Sequence, residues 1–443
     1  MPTSELEVYK FGGASVRDAD GVRNVGEIVA ARAGGALVVV VSAMGKTTDA
    51  LEGVVRAFAA TSGGRGAAGG EDPSALLAAV KRSHYETVRA LVGDDADTFA
   101  RLNDAFVEVE WLLEEPFDQP YDYVYDQIVS IGEVASSLVL EGYLRHVGLP
   151  TTWVDARGVV RTNDLYREAW VDWPATEAGV AREVAPLAAA GRIAVTQGFI
   201  GATADNETTT LGREGSDYSA AVLAYCLDAR AMTIWKDVPG VLTADPRYFD
   251  DVTKLDHLSY REAIEMTYYG AKVIHPKTIK PLQNKAIPLH VRSFVEPAGA
   301  GTRVDADAPL AYPPIVAVER EQALVQIATR DFSFVAEHHL RDLFNLIAEH
   351  RLQVNLMQNS AISFAISVND VDTRVDDFAE ALRGEFTCDV TRGLELVTVR
   401  HADDSALRAQ REGKLVLMDE RVGSTVQMVV REAVVPRRKA SVA

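Results

Sequence analysis

The sequence predicts an α/β protein built from a three-layer α/β/α domain followed by a ferredoxin-like βαββαβ region. In the first part, apolar strand-like stretches alternate with helical stretches, a pattern typical of a parallel or mixed sheet covered on both faces. The run 36–41 is continuous and rich in β-branched residues, as expected of a strand buried on both faces. The Pro-, Gly- and Ala-rich stretch 297–314 predicts a domain boundary, because the pattern changes after it.

The elements of the first part follow from these patterns in chain order. Strands are predicted at 5–9, 36–41, 151–155, 193–197 and 231–236. Helices are predicted at 18–32, in several pieces between 74 and 147, and from the loop at 212–216 to about 227, while the Gly- and Ala-rich stretch 58–72 predicts a flexible insertion. The glycine-bearing loops considered below follow predicted strands, so they should meet at the carboxyl edge of the sheet, where such folds bind ligands.

The second part begins with a βαββαβ pattern. Its predicted strands are 323–328, 354–357, 361–368 and 386–390, and its predicted helices are 338–350 and 375–382. Further strands at 394–400, 414–418 and 425–430 accompany one short helix at 405–412. We interpret them as an abbreviated second unit whose first strand is 315–318, with the first unit inserted after it. The predicted domains are therefore residues 1–300 and 315–443.

Bulk composition excludes several classes of protein. The net charge of −19 argues against general binding to nucleic acid or to an anionic membrane. No apolar run reaches membrane-spanning length, and the N-terminus leads straight into a predicted strand, so we expect a cytoplasmic protein. The two cysteines are expected to be reduced thiols in the core, and they form no metal-binding spacing, so we expect no metal ligands from the protein.

The segment 208–221 predicts a polar turn followed directly by an apolar helix. Gly212 and Gly215 allow the backbone to approach a ligand closely, and Arg213 beside them is a fork-shaped donor. Ser216 is predicted to be the N-cap, and Asp217 then falls in the first turn. These are the parts of an anion site at a helix N-terminus. The alternative is a tight turn with a solvated arginine.

A second loop, Lys10-Phe-Gly-Gly-Ala-Ser15, lies between a predicted strand and a predicted helix. The lysine precedes the glycines, so the loop is not a Walker A motif. Two adjacent glycines still let backbone N–H groups approach a phosphate, and Lys10 can meet the charge on a transferring phosphoryl group. Taken by itself, this loop is better explained by a surface turn with a solvated lysine.

The order of the motifs is far more specific than any one of them. They are Lys10-Phe-Gly-Gly-Ala-Ser, Ser42-Ala-Met-Gly-Lys-Thr-Thr48, Ser130-Ile-Gly-Glu133, Thr196-Gln-Gly-Phe-Ile-Gly201, Leu211-Gly-Arg-Glu-Gly-Ser-Asp217, the stretch from Asp237 to Arg247, and Tyr269-Gly-Ala-Lys-Val-Ile-His-Pro276. In this order they resemble the aspartate kinases (aspartokinases) of the amino-acid kinase family, which carry C-terminal ACT domains. The resemblance implies ATP-dependent phosphorylation of the side-chain carboxylate of L-aspartate to 4-phospho-L-aspartate. That reaction is the first step of lysine, threonine and methionine biosynthesis.

The resemblance also implies roles for individual residues and partners. The catalytic residues would be Lys10 and Asp217, and the aspartate contacts Thr48, Glu133, Phe199, Arg213 and Ser216. The nucleotide contacts would be Lys10, Phe11, Gly12, Gly13, Lys236, Asp237, Leu242, Arg247, Lys272 and Val273. The regulatory residues would be Asn355 and Ser360, for lysine or threonine as effector. The implied cofactors are ATP with Mg²⁺, which arrives as Mg·ATP, and the implied assembly is a homodimer.

Several positions depart from the family pattern. Lys236 and Leu242 stand where threonine and tyrosine are common, which leaves the adenosine contacts open. Asn355 replaces an aspartate able to pair with an effector's ammonium group, so lysine inhibition is less secure. Glu214 stands where glycine or asparagine is usual, and a carboxylate facing an anion pocket would repel the substrate. We predict that Glu214 points to solvent or pairs with a nearby cation.

Two rival functions remain open at the level of sequence. One is a related kinase for another acid, such as glutamate or acetylglutamate, against which Glu133, Arg213 and the ACT region speak. The other is an effector-binding regulatory protein of the same fold without kinase activity. Retention of Lys10 and Asp217 speaks against the second rival.

Overall fold

The computed structural model describes residues 5–32, 35–61, 71–271, 274–308, 311–330, 334, 336–384 and 386–433. The chain divides into two compact units, one made of Met1–Val241, Lys254–Ile264 and Lys272–Pro309, the other of Leu242–Thr253, Glu265–Ala271 and Leu310–Ala443. The first holds a mixed α/β sheet and the second an antiparallel sheet with helices. The predicted fold class is therefore confirmed.

The first unit is organised around an eight-stranded sheet in the order β3-β4-β2-β1-β7-β9-β10-β8. The strands are β1 (Glu7–Phe11), β2 (Leu37–Val41), β3 (Thr151–Val154), β4 (Ile193–Gln197), β7 (Ala231–Lys236), β8 (His257–Ser259), β9 (Leu289–Ser293) and β10 (Thr302–Asp305), with a separate hairpin of β5 (Ile200–Ala202) and β6 (Thr208–Thr210). The six strands from β3 to β9 in this order run parallel, and β10 is antiparallel to β9. Their carboxyl ends therefore share one edge.

Helices lie between these strands, as the alternating pattern predicts. They are α1 (Ala19–Ala31), α2 (Thr47–Thr61), α3 (Pro73–Val92), α4 (Ala96–Glu114), α5 (Tyr121–Val129), α6 (Ile131–His146), α7 (Trp173–Glu183), α8 (Ala185–Ala189), α9 (Gly215–Cys226), α10 (Tyr260–Tyr268) and α11 (Pro276–Asn284). Within the described ranges, no helix combines the length and apolar character needed to cross a membrane. The central strands β1 and β2 are buried along their whole length because helices cover both faces of the sheet.

The second unit contains a six-stranded antiparallel sheet in the order β12-β13-β11-β14-β16-β15. Its elements are β11 (Ile315–Thr329), α12 (Glu337–Glu349), β12 (Val354–Asn359), β13 (Ser363–Asn369), α13 (Arg374–Leu382), β14 (Phe386–Arg400), α14 (Asp404–Arg411), β15 (Lys414–Val422) and β16 (Thr425–Glu432). Side chains of α12 and α13 pack on one part of the sheet in a core that includes Leu343 and Phe378. Leu407 of α14 packs against a second core around Met428.

Three features of the fold differ from the sequence prediction. The strands predicted at 315–318 and 323–328 are one strand, β11, with register shifts against β14 around Gln322. The stretch 297–314 contains β10, which belongs to the sheet of the first unit. Helix α2 continues to Thr61 inside the predicted flexible insertion, and residues 62–70 lie outside the described residues.

Candidate active site

A cavity of about 720 Å³ opens at the carboxyl edge of the first unit's sheet. Several helix N-termini reach it, with Thr48 from the first turn of α2, Glu133 from that of α6, and Ser216 and Asp217 from that of α9. Lys10 enters it from the end of β1. Seven residues predicted for catalysis and substrate binding therefore line one cavity: Lys10, Thr48, Glu133, Phe199, Arg213, Ser216 and Asp217.

Lys10 and Asp217 form a buried ion pair at the base of this cavity. The Lys10 Nζ atom lies 2.7 Å from Asp217 Oδ1, and the two residues are 7% and 0% exposed. The short distance establishes the charge contact, although its angles do not meet hydrogen-bond geometry and both Asp217 oxygens lack a hydrogen-bond donor among the described residues. The adjacent carboxylate therefore fixes the position of the lysine side chain.

The glycines after Lys10 are required by close packing of the backbone. A Cβ atom on Gly13 would lie 2.7 Å from the carbonyl oxygen of Ala43, and the Gly45 N–H donates to the Gly13 carbonyl. A Cβ atom on Gly12 would lie 3.5 Å from Lys10 Nζ, in ordinary contact. Gly13 thus joins the loops after β1 and β2, and Gly12 keeps the space beside the lysine open.

Glu133 is an unsatisfied hydrogen-bond acceptor in this cavity. It is 3% exposed, and its Oε1 accepts a 3.3 Å bond from the Ala43 N–H, while Oε2 has no donor among the described residues. Burial raises the pKa of Glu133 to about 8, although the Ala43 amide and the charge of Lys10 pull it down. A bound ammonium group would supply both a donor and a compensating charge.

Arg213 is available for a ligand. It is exposed, lines the cavity, and makes no ion pair or hydrogen bond with its side chain among the described residues. The next residue, Glu214, occupies the N-cap position of α9 in a left-handed conformation with φ of 55° and no side-chain cap bond. The prediction of Ser216 as N-cap is therefore wrong, because α9 starts at Gly215 and Ser216 lies in its first turn. The uncapped helix start leaves amide donors facing the cavity.

The left-handed conformation of residue 214 gives a physical reason for the glycine or asparagine that the family pattern usually has at this position. Glycine and asparagine adopt the left-handed region at little cost in free energy, whereas the same backbone conformation is strained for glutamate. Glu214 is exposed, as predicted, and it also borders the cavity without an ion pair among the described residues. Its charge is therefore screened by water at the rim.

Phe199 also has a left-handed backbone, with φ of 70°. Its N–H donates to Ser219 Oγ at 2.9 Å, and its carbonyl accepts from the Leu211 N–H at 2.8 Å. A Cβ atom on Gly215 would come within 2.6 Å of the Phe199 ring. These contacts fix the ring against the start of α9 and explain why a glycine occupies position 215.

Sequence reasoning missed the outer wall of the cavity, which includes Asp122, Tyr125 and the segment 165–168. Arg167 in this wall has φ of 69° and a guanidinium group 4.4 Å from the centre of the Tyr125 ring. It also pairs with Asp122 at 3.1 Å. The sequence carries no motif for these residues, since their proximity arises only from tertiary packing.

Asp126 holds this wall in place. It is fully buried, and its Oδ2 accepts from the N–H groups of Arg167 and Thr210 at 2.9 and 2.8 Å, while Oδ1 accepts from the Thr210 hydroxyl at 2.7 Å. Burial raises the pKa of Asp126 to about 6 despite these bonds. Thr210 lies just before the loop that carries Arg213, so one carboxylate ties two walls together.

We expect Asp126→Asn to raise the KM for the acidic substrate and to destabilise the fold by about 2 kcal/mol, because hydrogen bonds to a buried carboxylate are lost. Because the folded-state pKa is above the ordinary value, the stability that Asp126 contributes falls as pH rises from about 4 to about 6. The variant should lack this part of the pH dependence. Denaturant unfolding at several pH values and steady-state kinetics measure both effects.

Asp122→Asn is the matched control, one helical turn away. It removes the partly exposed ion pair with the Arg167 side chain but leaves the backbone bonds to Asp126 intact. We expect a loss of less than about 1 kcal/mol. Equal losses from the two variants would contradict the role given to Asp126.

The predicted nucleotide residues in the first unit lie at strand ends. Lys236 ends β7, and Asp237 after it is exposed. The Phe11 side chain is instead fully buried and stacks on Trp235 with ring centres 6.0 Å apart. Only the main chain of Phe11 can therefore face a nucleotide, so its predicted contact is restricted to backbone atoms.

Four further nucleotide contacts were predicted, namely Leu242, Arg247, Lys272 and Val273. Leu242 and Arg247 belong to the segment Leu242–Thr253 of the second unit. Arg247 is exposed and binds the neighbouring Asp245 with Nη2 and Oδ2 2.6 Å apart. Lys272 and Val273 lie outside the described residues. Their nucleotide roles stay predictions.

The predicted effector residues lie in the second unit. The Asn355 side-chain nitrogen donates to Gln322 Oε1 at 2.9 Å and to Asn369 Oδ1 at 2.7 Å. The Ser360 hydroxyl lies 2.7 Å from that of Ser363, in the turn between β12 and β13. Because both amide hydrogens of Asn355 are used, its Oδ1 is the atom left to accept a bond.

Comparison with known proteins identifies the family. The model of the amino acid kinase family matches residues 5–293, so the chain belongs to that family. Lysine-sensitive aspartokinase 3 of Escherichia coli is 33% identical over 369 residues, covering 83% of this chain and 79% of that protein. The crystal structure of E. coli aspartokinase III in complex with aspartate and ADP matches 96% of both chains with a TM-score of 0.77 and 29% identity. Within the family, the chain is thus an aspartokinase.

A plant relative shows that this similarity concerns only part of some proteins. A bifunctional aspartokinase/homoserine dehydrogenase of Arabidopsis thaliana is 31% identical over 401 residues, which cover 87% of this chain but 42% of the plant protein. The similarity therefore extends over less than half of that bifunctional relative.

Proposed function

We propose that this protein transfers the γ-phosphoryl group of ATP to the side-chain carboxylate of L-aspartate. The observation that carries the proposal is the convergence of Lys10, Glu133, Arg213 and Asp217 on one cavity. A carboxylate oxygen attacks the γ-phosphorus, the bond from that phosphorus to the bridging oxygen breaks, and ADP and 4-phospho-L-aspartate result. The substrate is itself the nucleophile, so the protein needs to position and neutralise charge.

The polar groups of the cavity suit the three charged groups of aspartate. Glu133, with its free Oε2, takes the ammonium group, and Arg213 takes the α-carboxylate with two parallel hydrogen bonds. The side-chain carboxylate is then directed toward Lys10, which meets the negative charge of the transferring phosphoryl group. The E. coli relative crystallised with aspartate and ADP supports this pairing of ligands.

Mg²⁺ is proposed to enter with the nucleotide. Among the described residues, no group of three or more His, Cys, Asp or Glu side chains could hold a metal ion. When bound, the ion shields the phosphate oxygens, and a site of this kind supplies few protein ligands because Mg²⁺ keeps several waters and phosphate oxygens. Lys10 remains the cation that the chain itself provides in the cavity's buried base.

A coupled assay of ADP release with aspartate, glutamate and N-acetylglutamate tests the substrate assignment. We expect turnover with aspartate and at least about a hundredfold lower kcat/KM with glutamate, whose extra methylene misplaces the attacking oxygen. No ADP release with aspartate would refute the proposal. Stabilisation by amino acids without any effect of Mg·ATP would favour the non-catalytic effector-binding alternative.

We further propose that lysine inhibits this enzyme through the second unit. The E. coli relative is named lysine-sensitive, and Asn355 Oδ1 is positioned to accept a bond from an ammonium group. Asn355→Leu should raise the lysine concentration for half inhibition by about tenfold, the effect of losing one hydrogen bond to a charged group. Ser360→Ala is the companion variant at the second predicted position. Inhibition by threonine rather than lysine, or none in the wild type, would contradict this proposal.

A homodimer is also proposed. The outer strands of the second unit's sheet, β12 and β15, present edges suited to pairing, and exposed Met357 and Val422 lie on them. Sedimentation equilibrium should give twice the mass of the 48.0 kDa chain. A monomer at micromolar concentration would contradict the assembly but leave the kinase assignment intact.

A further inference from the structure

A second cavity, of about 400 Å³, lies on one face of the first unit's sheet, near the amino ends of its central strands. Strand register places Tyr9, Thr233, His290 and Arg303 in one row across β1, β7, β9 and β10. Arg292 is two residues beyond His290 on the same face of β9. We call this the arginine cavity. It is distinct from the active-site cavity, which opens at the carboxyl ends of the parallel strands.

Positive charge dominates the arginine cavity. Glu7 is the one carboxylate in its lining, and it is already paired with Arg32 at 3.1 Å and with Arg230. These arginines hold the pKa of Glu7 below its usual range, against the effect of its burial, so it stays ionised. Glu7 therefore has little capacity left to neutralise other cations.

The remaining arginines are only partly compensated. Arg303 pairs with Asp305, but Arg292 has no hydrogen bond or ion pair within the described part of the chain, and its Nε is buried. Within the lining itself, three arginines face the single carboxylate Glu7, so two positive charges are in excess, within a protein whose net charge is −19. A buried guanidinium N–H without a partner costs free energy unless a ligand or water satisfies it.

Neutral donors complete the lining. Burial first, and then the adjacent Glu7 carboxylate, raises the pKa of Tyr9 to about 12, so its phenol stays protonated beside Glu7. The buried Thr233 adds a hydroxyl group. Burial first, and then Arg292 and Arg303, lowers the pKa of His290. A guanidinium fork surrounded by hydroxyl and imidazole groups is a typical environment for an oxyanion with several acceptor atoms.

We propose that the arginine cavity binds a phosphate group, either as inorganic phosphate or as part of a small phosphorylated molecule, with Arg292 as its central ligand. Its two excess positive charges match a phosphate dianion. The guanidinium group of Arg292 can donate two parallel hydrogen bonds to two phosphate oxygens. The site is separate from the contacts of the proposed reaction, because no residue that lines the arginine cavity lines the active-site cavity or is a predicted aspartate or nucleotide contact.

Isothermal titration calorimetry with inorganic phosphate at low ionic strength and pH 7 tests the site. Arg292→Gln should weaken binding by about tenfold or more, since one charge-assisted bond is lost. Arg303→Gln, at a half-exposed position, should weaken binding with less risk to folding. Arg182→Gln is the matched control for loss of one charge, because Arg182 is exposed, away from the cavity lining, and bonded to the adjacent Glu183 and the Gly158 carbonyl.

Lys10→Gln separates this site from the active site, and it should retain phosphate binding. Phosphate binding that is lost in Lys10→Gln but kept in Arg292→Gln and Arg303→Gln would overturn the proposal, as would no binding by the wild type at 10 mM phosphate, a concentration of about the weakest useful affinity. Titration with malonate distinguishes a carboxylate site. Malonate binding without phosphate binding would refute the phosphate assignment.

The pKa of His290 provides a second measurement, and phosphate would leave it unchanged if the arginines had only a structural role. The charged groups facing it are Arg292 on its own strand, Arg303 and Asp305 on β10, and Glu7 on β1. A phosphate dianion among them should raise the pKa of His290 by about one unit, which NMR titration of the ring can measure. No change of this pKa at saturating phosphate would also overturn the proposal.

Discussion

Lys10→Ala should lower kcat by about a thousandfold while changing the KM for aspartate little. The lysine is buried against Asp217 at 2.7 Å, so its charge acts on the transferring phosphoryl group in a site with little water. Its contact strengthens as charge moves onto the phosphate oxygens, and an interaction of that kind appears in kcat. The measurement is steady-state ADP release over a range of pH, because loss of the Lys10 charge raises the pKa of Glu133 further, and kcat is compared on the plateau of each enzyme.

The contrast for this prediction is Arg213→Ala. Arg213 is exposed and should hold the α-carboxylate equally in the ground state and the transition state, so its loss should raise the KM for aspartate by about tenfold to a hundredfold and spare kcat. Lys10→Ala also removes one member of the buried ion pair with Asp217, which should destabilise the protein by about 3–5 kcal/mol. Lys10→Arg keeps the charge and serves as the folded reference. Wild-type kcat in Lys10→Ala would show that the lysine has no catalytic role.

Glu133→Gln should lower kcat/KM for aspartate by about a hundredfold, because an amide cannot neutralise the substrate ammonium group. Because burial raises the pKa of Glu133 to about 8, kcat/KM for aspartate should also depend on pH. Burial favours the protonated acid, whereas the ammonium group requires the carboxylate, so aspartate binding releases a proton. In the wild type, kcat/KM should therefore rise about tenfold per pH unit up to about pH 8 and then level off. The variant should lack this rise.

Stability provides the control for the Glu133 prediction. The folded-state pKa is raised above the ordinary value of 4.5, so ionising Glu133 costs folding free energy as pH rises through the interval up to about 8. Glutamine has no charge to bury, and the variant should be at least as stable as the wild type at pH 9. A less stable variant, or one with an unchanged pH profile, would count against an unsatisfied carboxyl group at this position.

Much of the active site was predictable because its signals are local. Lys10, Glu133 and Arg213 each follow or begin an element whose boundary can be read from glycines and apolar runs, and the carboxyl edge of a parallel sheet then brings them together. The ferredoxin-like pattern of the second unit was recognisable for the same reason. Its strands and helices can be told apart because apolar residues recur every two residues in the strands and about every 3.6 residues in the helices.

The remaining features depend on tertiary contacts. Asp126 reaches Arg167 and Thr210 across 41 and 84 residues, and no spacing rule connects them. Ser216 has the better N-cap chemistry, yet Phe199 and Gly215 pack so that the helix begins two residues earlier, after left-handed Glu214. Strand β11 continues past the charged residues 319–321 because β14 pairs with it on both sides of the irregularity. Pairing there outweighs local β propensity.

The central position of β1 has a consequence for how the enzyme is made. This strand pairs with β2, some thirty residues away, and with β7, which begins at Ala231. The ion pair of Lys10 must likewise wait for Asp217. On the ribosome, β1 is therefore left with one open side until β7 has been synthesised. Lys10 thus finds its partner more than two hundred residues further along the chain, a long-range contact of the kind that slows folding and prolongs the exposure of unpaired strands.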